Sequence, residues 1–145
     1  MFPPKNEPFR PPVQRFVAYG LLGCAAELVF TGLKSVLNHR DPGLSPHTSP
    51  WMFPIYGLMQ PLYEPTHDRL RPLPTLVRAA AYGVGFHAVE YLSGLTLRRL
   101  IGKAPWDYSR ARLNVSGLTR LDYFPLWAGF GLAMEKVHDR LVGRV

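Results

Sequence analysis

Four apolar runs interrupt an otherwise polar, proline-rich chain. They cover Arg15 to Leu37, Trp51 to Glu64, Leu76 to Leu100 and Leu121 to Leu141. None alternates with the period of two that marks a half-buried strand, and the first and third are long enough only for helices. Proline punctuates their ends at Pro50, Pro65, Pro72, Pro74 and Pro105. A soluble helical bundle shows one polar stripe per helix. Here the helix middles are apolar, aromatic or small all round, apart from glutamates, and charges collect at the ends. The small residues Gly20, Gly23, Ala25, Ala26, Gly83 and Gly85 suit close helix packing in lipid. The pattern predicts an all-α integral membrane protein, multi-pass, with four helices in one bundle. Residues 1–14 read as an extended proline-rich tail, and residues 15–145 as a single four-helix membrane domain. The second run is short and carries Pro54 and Pro61, so whether it spans fully is open.

The runs repeat. "FPIYGLMQPLYEPTHDRL" starts at Phe53 and "FPLWAGFGLAMEKVHDRL" at Phe124. Tyr19, Tyr56, Tyr82 and Trp127 each stand eight positions before a glutamate: Glu27, Glu64, Glu90 and Glu135. A small residue follows each aromatic. Arg15 and Arg78 each stand four before a tyrosine. The chain therefore reads as two tandem helical hairpins, about 15–70 and 78–141. In a membrane, such copies are related by an axis along the normal. Seven residues return a helix to nearly the same face, and eight rise about 12 Å. In antiparallel hairpins this sets Tyr19 level with Glu64, Glu27 with Tyr56, Tyr82 with Glu135, and Glu90 with Trp127.

Bulk properties add little. A chain of 145 residues that is 47% apolar, with a mean hydropathy of −0.04, fits one domain without separating soluble from membrane. The net charge of +7 favours an anionic partner. The arginines bracket apolar helices instead of lining one face, so no nucleic acid is expected. A soluble helical module for anionic partners remains an alternative. The lone Cys24 forbids an intrachain disulfide. In a four-span arrangement Lys and Arg divide nine to eight between the two sides, too evenly to set an orientation.

Three readings of the inward-facing glutamates stay open. They tie helices together through hydrogen bonds to the aromatics. Or they line a proton or cation path, extended by His87, as carboxylates in repeated membrane halves do. Or they hold a divalent metal. Glu64 and His67, like Glu135 and His138, form Glu-x-x-His, and Glu27 and Glu90 supply single carboxylates, the ligand set of a di-metal carboxylate bundle. Against the metal, Pro65 follows Glu64 and is expected to leave His67 beyond the helix end.

The linker after the third run carries Trp106, Asp107, Tyr108 and Ser109 amid Arg98, Arg99, Lys103, Arg110 and Arg112. Aromatics with arginines suit a bilayer interface and anionic headgroups. Asp107 beside Ser109 lacks a histidine partner for nucleophilic chemistry. Asn114-Val115-Ser116 matches a glycosylation sequon that chance often produces.

"GCAAELVFTG", "IYG", "VEYLSGLTLRRL" and above all "PWDYS" resemble the transmembrane protein 229 family, whose bacterial branch is the ABC-transporter permease CmpB type. The resemblance covers about Arg15 to Arg140. It implies an integral membrane protein of about four helices, transport-associated or structural, with no enzyme activity and no cofactor. No G-x-x-x-x-G-K-[ST] appears, so the chain has no ATP-binding cassette of its own. By position the resemblance supports Glu27, Tyr56, Glu64, Glu90, Trp106, Asp107, Tyr108, Ser109 and Glu135 as shared features. His67 and His138 lie outside that pattern.

Overall fold

The computed structural model describes residues 10–37 and 47–144. It is all-α apart from one two-stranded ribbon. Helix α1 runs Pro12–Leu37, α2 Met52–Gly57, α3 Glu64–Leu70, α4 Thr75–Ile101 and α5 Phe124–Leu141. The first nine residues of the expected tail lie outside the described residues. The helix begins at Pro12, three positions earlier than the apolar pattern indicated. Proline is well suited there because the first-turn N–H groups have no helical acceptor.

The second apolar run does not stop at Glu64. A π-helical turn, Met59–Tyr63, links α2 to α3, with the Glu64 N–H bonded to the Met59 carbonyl. Pro61 has no N–H to offer the ordinary ladder, and the widened turn accommodates it. Pro65 then falls in the first turn of α3. His67 is therefore helical, which corrects the expectation that Pro65 ends the helix before it.

Helix α4 starts at Thr75 after Pro74, in extended geometry, and stops at Gly102, whose φ of +82° a glycine adopts without strain. The following linker holds strands β1 (Asn114–Val115) and β2 (Thr119–Arg120), paired antiparallel with Asn114 opposite Arg120. With two residues per strand, no alternation was there to read.

The chain forms two compact units, divided between Glu64 and Pro65. In the first, α1 packs on α2 and the π turn. Gly20 lies under Phe53, Gly23 under Tyr56 and Gly57 under Phe16. In the second, α4 packs on α5, with Gly83 under Phe124 and Gly131 under Tyr82. Among the described residues one helix, α1, is long and apolar enough to cross a membrane. Helix α4 carries His87 and Glu90 inside and Arg98 and Arg99 near its end, while α5 ends in Glu135-Lys136-Val137-His138-Asp139-Arg140. Those polar groups keep both below the apolarity of a plain span.

Candidate functional site

Polar side chains are buried beside apolar ones in both units, and they sort into two kinds of cluster. The first is an arginine–glutamate fork. Arg15 Nε and Nη2 donate to the two carboxylate oxygens of Glu64 at 2.8 and 3.0 Å. Both side chains are more than nine-tenths buried. In the other unit Arg78 makes the same pair of bonds to Glu135, at 2.7 and 3.1 Å. Bidentate guanidinium–carboxylate pairing is the strong geometry for such groups. Arg15 and Arg78 are the arginines that precede matched tyrosines, so the sequence marked both positions. Their partners were not foreseen.

Around Glu135 the fork opens into a directed hydrogen-bond chain. Arg71 Nη2 lies 3.0 Å from His67 Nε2. A guanidinium only donates, so that nitrogen accepts and the imidazole proton sits on Nδ1. His67 Nδ1 then donates to Tyr82 Oη at 2.7 Å, and Tyr82 Oη donates to Glu135 Oε1 at 2.9 Å. His138 stands edge-on to His67, ring centres 5.1 Å apart. The two histidines exchange acidic neighbours. His138 Nε2 is 3.5 Å from Asp68, and His67 Nε2 is 3.8 Å from Asp139. Arg144 pairs with Asp68 and Arg71 with Asp139. The repeated His-Asp of α3 and α5 thus meets reciprocally, each half offering its acid to the other's imidazole.

The second kind of cluster pairs a glutamate with a threonine. Thr48 Oγ1 donates to Glu27 at 2.6 Å, and Thr119 Oγ1 donates to Glu90 at 2.5 Å. Each threonine stands five residues before a Phe-Pro, Phe53-Pro54 or Phe124-Pro125. Extending the repeat five residues upstream would have found both. Glu90 also accepts from Tyr108 Oη at 2.9 Å. His87 Nδ1 lies 2.7 Å from Thr119 Oγ1. Because the hydroxyl proton goes to Glu90, His87 donates from Nδ1, and its Nε2 is buried without a partner. Trp127, expected opposite Glu90, lies close enough to influence that carboxylate, yet its Nε1 makes no hydrogen bond. Tyr108 and Thr119 hold the carboxylate instead. Tyr56, expected beside Glu27, lays its ring on Gly23, and Tyr19 is almost wholly buried.

Of the six proposed metal ligands, Glu27 and Glu64 belong to the first unit and His67, Glu90, Glu135 and His138 to the second. Glu64 and Glu135 are each taken by an arginine, and Glu27 and Glu90 by threonines. His67, His138 and Asp139 do converge, with ligand atoms within 4.8 Å of one another. The Arg71 guanidinium already stands there, on both His67 and Asp139, and it supplies the positive charge a cation would bring.

In the linker, Trp106 Nε1 donates to the Leu118 carbonyl at 2.7 Å. Asp107 accepts from the Ser109 hydroxyl and from its amide at 2.9 Å. Those two donors hold the Asp107 carboxyl below the usual aspartate range. Asp107 and Ser109 therefore form a side-chain-capped turn.

A family model described as "Putative ABC-transporter type IV" matches residues 14–145. No solved structure matches the chain.

Proposed function

Because the chain belongs to this ABC-transporter-type family, we propose that it is a multi-pass membrane protein with a transport-associated or structural role. Its four helical segments act as two tandem hairpin repeats, and its internal carboxylates accept hydrogen bonds from built-in donors. One observation carries this reading. The interior holds Arg15, Glu64, His67, Glu90 and His138, while large aliphatics such as Val29, Leu33, Leu76, Val84 and Leu92 face outward. In water that distribution leaves apolar surface exposed; in lipid the outward aliphatics find an apolar solvent while the polar groups pair with one another inside. The forks supply each carboxylate with a guanidinium, which offsets the cost of placing either charge alone in hydrocarbon.

Alkaline carbonate extraction of expressing membranes tests the reading. Retention in the pellet is expected. Release into the supernatant would return the chain to the soluble-module alternative. Within the membrane reading, Glu90→Gln separates the roles. Unchanged stability with loss of a transport-linked cellular phenotype favours a working carboxylate; loss of stability alone favours a tie between helices.

A further inference from the structure

The segment from Leu100 to Leu121 has a surface that neither polar cluster uses. It is built firmly. Trp106 and Leu118 pack over Gly94 of α4, and the Trp106 indole bonds to the Leu118 carbonyl. The Tyr108 N–H bonds to the Gly117 carbonyl at 2.9 Å, and its hydroxyl reaches Glu90. Asn114 turns the ribbon by accepting from the Gly117 N–H and donating to the Ala111 carbonyl. Gly117 has a φ of +67° in that turn. The Pro-Trp-Asp-Tyr-Ser stretch is thus a staple that fixes this lobe to α4.

What the staple presents is both basic and greasy. Arg98, Arg99, Lys103, Arg110 and Arg112 are all exposed. Of the nearby acids, Asp122 pairs with Arg120, while Asp107, held by Ser109, stands near enough to Arg98 and Arg110 to attract them. Beside the cations, Leu100 is 75% exposed, and Leu113 and Leu121 are 51% and 52% exposed. Leu113 and Leu121 face each other across the ribbon, joined by a 2.9 Å backbone bond. Aliphatic tips among an excess of exposed cations match a bilayer surface, where tails receive the tips and phosphates receive the cations.

We infer that this lobe binds the surface of an anionic phospholipid bilayer, with the Trp106–Ser109 staple as its scaffold. The inference rests on the membrane reading above and adds a lipid class to it. The test uses the purified full chain in detergent, titrated separately with dihexanoylphosphatidylglycerol, dihexanoylphosphatidylcholine and sn-glycerol 3-phosphate. The readout is the thermal unfolding midpoint. The phosphatidylglycerol lipid is expected to raise the midpoint; the other two are not. In an Arg99→Gln/Lys103→Gln/Arg110→Gln/Arg112→Gln variant, apparent affinity is expected to fall about fivefold per cation removed, the equivalent of about 1 kcal/mol each. Lys103→Gln/Arg112→Gln carries the same expectation at smaller size should the quadruple variant fail to fold. Equal response to both lipids, a response to glycerol phosphate alone, or a variant as responsive as the parent overturns the inference. A chain retained in carbonate-washed membranes but indifferent to phosphatidylglycerol sinks this inference alone; release by carbonate sinks the membrane reading.

Discussion

Glu27 and Glu90 occupy matched positions in their hairpins and accept from matched threonines, but their surroundings differ. Glu27 is half-buried and Thr48 is exposed, whereas Glu90 and Thr119 are both buried. The helices alone do not make that difference. The stapled linker does, by laying Tyr108 and Thr119 on the Glu90 carboxylate. The forks differ in the other direction. Arg15 and Glu64 are the more deeply enclosed pair, with side chains 8% and 7% exposed against 18% and 17% for Arg78 and Glu135. One repeated motif thus supplies the same partners in both units, and the local packing sets how far each charge is removed from solvent.

The forks give the largest test of that contrast. Glu64→Ala strands a buried guanidinium and is expected to cost about 3–5 kcal/mol in unfolding of the detergent-solubilised protein. Glu135→Ala is expected to cost less, about 1–3 kcal/mol, because its partner is nearer solvent. Equal losses would break the comparison.

Glycines come next. A Cβ at Gly23 would stand 2.1 Å from the Tyr56 ring, and one at Gly131 would stand 2.3 Å from Tyr82 Cβ. Alanine at either is expected to cost about 1–3 kcal/mol through overpacking. At Gly85 and Gly129 nothing lies within 4 Å, so alanine there is expected to stabilise by up to about 1 kcal/mol through helix propensity. The same unfolding measurement reads both signs, and a shared sign would mean the close approaches do not bear on stability.

The threonines sharpen the contrast at its finest. Thr119→Val leaves a buried carboxylate and His87 each short of a partner, and is expected to cost about 1–3 kcal/mol. Thr48→Val, at an exposed site, is expected to cost under about 1 kcal/mol. If the two lose alike, the linker does not set the environment of Glu90.

Much of the helical framework was readable because apolar runs and prolines act locally. The repeat marked Arg15, Arg78 and the four glutamates, and its period set Tyr82 level with Glu135. Reading fell short where partners come from outside the counted motif. Thr48 and Thr119 stood five residues upstream of the repeat's quoted start. His67 was expected beyond the helix because Pro65 usually ends one; the π turn around Pro61 moved that proline into a first turn, where a missing N–H does no harm. The ribbon of two-residue strands left no periodicity to detect.

By itself the sequence determined where helices form, which positions repeat, and which carboxylates sit among apolar neighbours, since each follows from local chemistry and spacing along one chain. Apart from Tyr82 and Glu135, which the period set level, only the tertiary structure decided which donor meets which carboxylate. A guanidinium at the end of a long side chain, a hydroxyl on a linker and a tyrosine on a staple reach their acceptors through space, and no spacing along the chain encodes that reach.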